Sequence, residues 1–245
     1  MSVDGYTNEY NFVVYYNGKK VGELDPISYD MFHKIFYNIK DDSIIRCWRN
    51  HNLQKGDILI NVDGIIKSIS IKCGSKNSVH AEHIYYFKNF LKESGISYKI
   101  ISIFNDYHYA KDEYGNRISS QDYKTFHAKD IIEINNSFNN TDFINKCIDR
   151  FILKGTNCDY KVSGIIYGTP KDFLFISKNE IRQIILSKAN METSGVHVGP
   201  LFIQPMARNF NNNPKHEKYR HIVQVKWFSL FDDMMQMYYD KNSIF

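Results

Sequence analysis

The stretch GDILINVDGIIKSISIK, residues 56–72, consists of two apolar-rich runs joined by the dipeptide Asp63-Gly64. Asp-Gly between two such runs is a strong signal for a two-residue β-hairpin turn, because both central positions of that turn need a positive φ. The sequence therefore predicts two antiparallel strands, over 57–62 and 65–72.

The second strand of this hairpin carries polar side chains on one face. Alternation along a strand places Ser70 and Lys72 on the same face, with the isoleucines between them on the other. Pairing across the turn is expected to bring Asp57 close to Lys72, since the two lie at similar distances from the turn. Glu82 follows on the first turns of a helix predicted over 79–93, where it can face the same point. Two carboxylates and one ammonium group are thus expected to converge.

Carboxylates beside a lysine are the groups that metal-assisted hydrolysis of a phosphodiester requires. Hard oxygen ligands hold Mg²⁺, which keeps several waters and binds phosphate oxygens. The metal polarises the phosphate and lowers the pKa of a bound water. The lysine orients that water or helps to deprotonate it, and offsets the charge that grows in the transition state. The expected cofactor is Mg²⁺, with Mn²⁺ as a substitute.

This arrangement resembles the PD-(D/E)xK superfamily of restriction-endonuclease-like nucleases. The resemblance implies that Asp57 binds the metal and that Lys72 is the catalytic lysine. Ser70 stands where the family carries its second acid, and is taken with them as a candidate catalytic residue. Some members supply that acid from the following helix, which makes Glu82 the implied second catalytic acid and metal ligand. Glu23, near the first helix, is a further candidate ligand.

The whole chain reads as a mixture of strands and helices, which indicates an α/β fold. The resemblance implies a restriction-endonuclease-like mixed central sheet flanked by helices, in one endonuclease domain over 1–245 with its catalytic core over 20–105. Asn17-Gly18 predicts an N-terminal hairpin over 11–24, and residues 98–104 are predicted to form a strand. Further helices are predicted after Pro26 and over 122–134, 141–154 and 177–186, and further strands over 162–167, 173–176, 196–204 and 219–228.

Basic residues are concentrated near the C-terminus. Between Pro200 and Lys226 there are five lysines and arginines and one acid, Glu217. A local basic surface suits a polyanion, although a solvated polar face has the same charge. The segment over 196–228 is similar to the C-terminal part of restriction-type endonucleases, which implies that it recognises DNA. Arginine suits guanine or phosphate, glutamine suits adenine and lysine suits phosphate. The DNA-binding residues expected in this segment are Gln204, Arg208, Lys215, Arg220, Gln224 and Lys226.

Two polar stretches admit more than one interpretation. Asn77, Ser78 and His80 could bind phosphate or steady the metal shell, whereas Asn77 or Ser78 could instead be the N-cap of the following helix. Gln224-Val-Lys226 is itself a Gln-x-Lys strand and therefore a rival active site. It ranks second, because no aspartate precedes it across a hairpin.

The sequence as a whole predicts a Mg²⁺-dependent, sequence-specific, type II restriction-like endonuclease that cleaves double-stranded DNA. A homodimer is expected by analogy, since palindromic sites call for a two-fold symmetric reader. The alternatives are a DNA repair, phage or antiviral-defence nuclease of the same fold, and a DNA-binding protein that has lost catalysis. No apolar run approaches the ~20 residues that cross a bilayer. Without an export signal, and with four scattered cysteines, a cytoplasmic protein with reduced thiols is expected.

Overall fold

The computed structural model describes residues 5–50, 55–74, 77–156, 158–207 and 214–242, without the side chains of 214, 215, 241 and 242. The chain divides into two compact units. The first contains the chain up to Asn77, residues 149–184 and the segment from Ser229 onward. The second contains Ser78–Ile148 and Ile185–Phe228. One domain spanning the whole chain remains a prediction.

Helices and strands are mixed along the described residues. The α-helices are α1 (Gly5–Tyr16), α2 (Pro26–Ile35), α3 (Ile84–Glu93), α4 (Tyr98–Tyr109), α5 (Ser120–Phe126), α6 (Ala128–Phe138), α7 (Thr141–Ile148), α8 (Lys178–Ser187), α9 (Pro214–Arg220) and α10 (Leu230–Asn242). The strands are β1 (Ile45–Arg49), β2 (Ile58–Val62), β3 (Ile65–Lys72), β4 (Ser78–His83), β5 (Val162–Thr169), β6 (Asp172–Ser177), β7 (His197–Val198), β8 (Leu201–Pro205) and β9 (Ile222–Trp227). A 3₁₀ turn at Val21–Glu23 and a π-helical segment at Asp149–Lys154 complete the described elements.

The first unit is built on a five-stranded mixed sheet in the order β1-β2-β3-β5-β6. The β3–β5 pair is parallel and the other pairs are antiparallel. The buried face of the sheet, which includes Ile60 and Ile69, packs with Phe12 and Tyr16 of α1 and Phe32 of α2 in one hydrophobic core. The predicted hairpin over residues 57–72 and the predicted α/β class, with helices on a mixed central sheet, are confirmed.

The second unit is built on a four-stranded antiparallel sheet in the order β4-β9-β8-β7. Its helices contribute an aromatic core in which the Phe104 ring lies 4.9 Å from Phe87 and 6.0 Å from Phe138. Phe143 of α7 lies 4.9 Å from Phe138. The Trp227 side chain at the end of β9 is fully buried. This sheet carries the segment predicted to recognise DNA.

The predicted N-terminal hairpin is wrong, since residues 5–16 form helix α1. Its buried residues are Asn8, Phe12 and Tyr16, which recur every four residues as one face of a helix requires. The Asn17-Gly18 dipeptide ends the helix: the Asn17 amide donates to the Val13 carbonyl, and Gly18 has φ +87°. Glycine with positive φ just beyond a helix is a common C-terminal signal, so the same dipeptide serves a different turn.

The predicted helix over 79–93 is only half correct. Residues 78–83 form strand β4, which places Glu82 on a strand and not on a helix. The helix starts at Ile84, and its N-cap is His83, whose Nδ1 accepts a hydrogen bond from the Tyr85 amide at 3.1 Å. The N-cap role considered for Asn77 or Ser78 is therefore wrong, because pairing of β4 with β9 delays the helix by one strand.

The predicted strand over 98–104 is also wrong, because this segment begins helix α4. Ser97 caps the helix through a hydrogen bond from the Ile100 amide to its side chain. Ile100 and Phe104 are buried one turn apart. The β-branched residues indicated a strand, but the burial of one helical face outweighs that weak local preference.

Several other predicted elements are confirmed, whereas the strand predicted over 196–204 is divided into β7 and β8, and the strand predicted over 219–228 starts only at Ile222, after α9 ends. Asp25 caps α2 through its Oδ1, which accepts from the Ile27 and Ser28 amides. Ser177 and Glu180 form the predicted capping box at the start of α8. The helix predicted over 122–134 is divided into α5 and α6 at His127. None of the described helices is long and apolar enough to span a bilayer.

Candidate active site

The backbone just before Asp57 is tightly held. Gly56 has φ +88°, and a Cβ at this position would lie 1.8 Å from Ser68 Oγ, so only glycine fits. Asn50 Nδ2 donates to the Gly56 carbonyl at 3.3 Å, and the Asn50 amide donates to the Asp57 carbonyl at 3.0 Å. These contacts fix the backbone at Asp57 and therefore the direction in which its side chain starts.

Asp57 Oδ2 is surrounded by donors from β3. The β2–β3 register ends at the pair of Ile58 and Ile69, and the Asp57 backbone amide also donates to the Ile69 carbonyl at 2.8 Å. Ser70 Oγ donates to Oδ2 at 3.0 Å and the Ile71 amide donates at 2.5 Å. Lys72 Nζ lies 3.8 Å from the same oxygen. The predicted proximity of Asp57 and Lys72 is therefore confirmed. No described residue donates a hydrogen bond to Asp57 Oδ1.

Lys72 ends β3, and its side chain is one-fifth exposed. Its partner in the parallel register is Tyr167 of β5, whose hydroxyl donates to the Gly74 carbonyl just beyond Lys72. The neighbouring strand therefore fixes the backbone on the C-terminal side of Lys72. The partly exposed ammonium group lies 3.8 Å from Asp57 Oδ2 and is accessible to a ligand from solvent.

Glu9 of α1 is an acid that the reasoning from sequence missed, and its electrostatics connect it to Asp57 and Lys72. Burial raises the pKa of Glu9 and the negative charge of Asp57 raises it further, while Arg49 and Lys72 lower it. Glu9 is therefore electrostatically coupled to both Asp57 and Lys72. The buried residues Asn8, Phe12 and Tyr16 are spaced four apart, which is the signal of a helix with one buried face. A helix prediction from this spacing would have placed Glu9 next to that face.

The donor set fits a magnesium ion held by two carboxylates. Glu9 Oε2 accepts two hydrogen bonds from Arg49, whereas no described residue donates to its Oε1. Asp57 Oδ2 likewise accepts two hydrogen bonds, whereas no described residue donates to its Oδ1. Mg²⁺ is commonly bound by one or two carboxylates and keeps several waters. The described residues contain no group of three or more His, Cys, Asp or Glu side chains that could hold a metal.

The two other predicted metal ligands have different surroundings. Glu23 lies in the 3₁₀ turn, where its carboxylate accepts a hydrogen bond from the Lys20 amide at 3.0 Å. Glu82 belongs to the second unit, and its Oε1 lies 3.1 Å from His80 Nε2. Both side chains of that pair are almost fully buried. His80 and Glu82 lie opposite Val225 and Val223 of β9, on the buried face of the second sheet.

The half-buried face of the second sheet carries four of the predicted DNA-binding residues. Gln204 of β8 and Gln224 of β9 are direct cross-strand neighbours. Gln224 Nε2 donates to Ser78 Oγ of β4 at 3.3 Å, so three strands contribute to one polar row. Lys226 lies two residues further along β9 on the same face. This face can present amide groups and one cation together.

The remaining predicted DNA-binding residues are distributed differently. Arg220 is 9% exposed, and its Nη1 lies 2.8 Å from Glu217. This burial favours a packing role for the guanidinium group. Asn77 is half-buried and directly precedes β4. Lys215 belongs to α9, but its side chain is outside the described part of the chain, and Arg208 lies outside the described residues altogether.

The fold is similar to that of a known nuclease. Over 90% of this chain and 87% of the other, it matches the crystal structure of restriction endonuclease MspI in complex with its cognate DNA, with a TM-score of 0.57 and 12% sequence identity. No protein-family model and no curated protein matches the sequence. At this identity the likeness shows a restriction-endonuclease-like fold and leaves activity to be argued from the residues.

Proposed function

We propose that this protein is a Mg²⁺-dependent, sequence-specific endonuclease of the type II restriction kind, which hydrolyses phosphodiester bonds of double-stranded DNA. The observation that carries the proposal is the contact of Ser70, the Ile71 amide and Lys72 with one oxygen of Asp57. This contact lies at the end of the central hairpin of a restriction-endonuclease-like fold. It is the arrangement that the resemblance to the PD-(D/E)xK superfamily implies, with serine in the place of the second acid.

Asp57 and Glu9 are the proposed ligands of the metal. Each offers a carboxylate oxygen to which no described residue donates, and each side chain is about one-quarter exposed, at 27% and 22%. A divalent ion at such a site polarises the scissile phosphate and lowers the pKa of a coordinated water. In this proposal Glu9 of helix α1 supplies the second acid. The resembling family carries that acid at the position of Ser70, and the sequence analysis expected it at Glu82.

The protein groups around the metal have separate tasks. Ser70 Oγ and the Ile71 amide hold the Asp57 carboxylate in one orientation, because both donate to Oδ2. Lys72 is a cation beside the scissile phosphate, where it orients the attacking water and offsets negative charge as that charge grows. The polar row of Ser78, Gln204 and Gln224, with Lys226, is proposed to contact the DNA.

Cleavage of defined DNA tests the proposal. Purified protein is incubated with supercoiled plasmid and phage DNA, with Mg²⁺, with Mn²⁺ and with EDTA. We expect discrete, metal-dependent bands from the wild-type protein and none from Lys72→Ala. Lys67→Ala is the matched control, since Lys67 is a half-buried lysine on the same strand and should leave the bands unchanged. Metal-independent cutting, or equal cutting by Lys72→Ala, would contradict the proposal.

Several finer properties are proposed by analogy with this class of nuclease. A homodimer suits palindromic sites, and the cytoplasm suits four free cysteines. A repair, phage or antiviral-defence nuclease would use the same active site. Mapping of the cut positions separates these roles, because a restriction-type enzyme cuts at one short sequence and the others do not require one.

A DNA-binding protein without catalytic activity is the second candidate function. Serine at position 70, where the resembling family carries an acid, favours it. If the wild-type protein binds duplex DNA but leaves it intact with Mg²⁺ and with Mn²⁺, this candidate holds. Asp57→Ala and Lys72→Ala should then bind DNA as tightly as the wild-type protein.

A further inference from the structure

Arg49 ends strand β1 beside the candidate active site and makes two contacts there. Its Nε and Nη2 lie 3.2 and 3.0 Å from Glu9 Oε2. Its guanidinium carbon lies 3.4 Å from the centroid of the Tyr6 ring, one helical turn before Glu9. The β1–β2 register pairs Arg49 with Ile58, the residue that follows Asp57. Arg49 thus contacts α1 through its side chain, and its backbone pairs with the strand that follows Asp57.

Both hydrogen bonds from Arg49 converge on the same oxygen of Glu9. A guanidinium group usually grips a carboxylate through both oxygens, but here Glu9 Oε1 is left without a donor among the described residues. The Arg49 side chain is 13% exposed and the Glu9 side chain 22% exposed. Partial burial and a fixed fork restrict the Glu9 carboxylate far more than an exposed lysine would.

We propose that Arg49, seated against the Tyr6 ring, is a positioning residue that holds Glu9 ready to bind a divalent cation together with Asp57. The inference rests on the proposed function, because Glu9 and Asp57 are the metal ligands proposed there. Arg49 touches neither the DNA nor the metal in this role. It acts through Glu9, because its two hydrogen bonds occupy Oε2 and leave Oε1 available to the cation. Outer-shell partners of metal ligands commonly act in this way.

A purely electrostatic role for Arg49 makes the opposite prediction. Without metal, the two carboxylates of Glu9 and Asp57 are matched by the two cations Arg49 and Lys72. If Arg49 acted only as a counter-charge, its removal would leave more negative charge and would tighten cation binding. If Arg49 positions Glu9, its removal weakens cation binding, because the carboxylate loses its fixed orientation. The sign of the change therefore separates the two roles.

Mn²⁺ binding to the full-length protein tests the proposal without relying on activity. The amount of free Mn²⁺ is followed by electron paramagnetic resonance for the wild-type protein, Glu9→Gln, Arg49→Ala and Arg49→Lys. We expect Arg49→Ala and Arg49→Lys to weaken binding about tenfold to a hundredfold. Lysine keeps the charge but not the two-point contact, so wild-type affinity in Arg49→Lys would overturn the positioning role. Tighter binding by Arg49→Ala would overturn it as well.

Two further variants guard against loss of folding. Tyr6→Ala removes the ring that lies against the guanidinium group and should weaken Mn²⁺ binding several-fold. Arg182→Ala removes another partly buried arginine–carboxylate pair of the first unit, with Asp149, and should leave Mn²⁺ affinity unchanged. If Arg49→Ala does not fold, Tyr6→Ala and Arg49→Lys decide the question, and wild-type affinity in either of them overturns the proposal.

DNA cleavage by the same variants separates this proposal from the proposed function. At saturating Mg²⁺, Arg49→Lys should recover most of the wild-type kcat, with the loss confined to the Mg²⁺ concentration needed for half-maximal rate. A wild-type protein that binds Mn²⁺ through Glu9 and Asp57 but cuts no DNA would overturn the nuclease function and leave the role of Arg49 intact. A wild-type protein whose Mn²⁺ binding is insensitive to Glu9→Gln would overturn the role of Arg49.

Discussion

The Ser70 hydroxyl on β3 donates a 3.0 Å hydrogen bond to Oδ2 of Asp57, the residue that precedes β2. The position where the resembling nucleases carry an acid is thus occupied by a donor that supports the remaining acid. A carboxylate at this place would be repelled by Asp57 unless a cation lay between them. The serine therefore holds the Asp57 carboxylate without the need for a cation between two acids. In the proposed site the second carboxylate is that of Glu9.

Removal of the Ser70 hydroxyl should reduce cleavage while DNA affinity stays unchanged. Ser70→Ala loses one hydrogen bond to a carboxylate, worth about 1.5–3 kcal/mol, so we expect a fall in kcat of about tenfold to a hundredfold. Ser70→Thr keeps the donor and suits a strand, and should retain most of the activity. Single-turnover cleavage rates measure both variants, and full activity in Ser70→Ala would show that Asp57 needs no such support.

An acid returned to position 70 should compensate for the loss of Glu9. We expect Glu9→Gln to lower cleavage about tenfold to a hundredfold, because an amide is a poor substitute for a carboxylate ligand. Ser70→Asp in the Glu9→Gln background should restore part of that loss. Glu133→Gln removes an exposed glutamate that pairs with Lys99, and should cleave normally. If Glu9→Gln cleaves at the wild-type rate, α1 does not supply the second acid.

Alanine at Gly56 should destabilise the protein more than alanine at Gly64. Both glycines have positive φ, at +88° and +83°, so each substitution incurs about 1–2 kcal/mol of backbone strain. Only at Gly56 would the new Cβ meet Ser68, and we expect about 1–3 kcal/mol more there. Urea denaturation of the two variants gives the difference. Equal losses would mean that Ser68 moves aside without cost.

Lys226 and Arg220 should affect DNA binding in different ways. Lys226→Ala removes a half-buried cation beside the polar row, so the slope of log affinity against log salt should become shallower by about one contact. Arg220 is buried against Glu217, so Arg220→Ala should lower the melting temperature and leave the salt slope unchanged. Binding titrations at several salt concentrations measure both slopes, and a shallower slope for Arg220→Ala would identify a phosphate contact.

The stability of the protein should fall as the pH is lowered below about 6.5. Burial lowers the pKa of His197 below its ordinary value of 6.5, and the side chain is 2% exposed. The unfolded chain then binds a proton that the folded chain does not, so the free energy of unfolding declines between the unfolded and folded pKa values. His197→Gln should flatten this decline, whereas the exposed His33→Gln should not. An identical pH profile in His197→Gln would contradict the assignment.

Local patterns were sufficient for the central hairpin and most of the later elements. Asp63-Gly64 predicted the turn, and the alternation along residues 65–72 predicted which face of β3 is buried, because both depend on neighbours within a few residues. The capping box of Ser177 and Glu180 could be predicted from the sequence for the same reason. The sequence alone thus brought Asp57 and Lys72 together and indicated the class of the fold, but the third member of the predicted group, Glu82, lies on a strand of the second unit.

Only the tertiary structure brought Glu9 under the electrostatic influence of Asp57. Asn17-Gly18 suits a hairpin and a helix C-terminus equally well, and the burial of Phe12 and Tyr16 in the core of the first unit selects the helix. That choice places Glu9 under the influence of Asp57 and against Arg49, which is 40 positions away in the chain. Contacts between residues so far apart depend on how helices pack on a sheet, and no local pattern of amino acids encodes them.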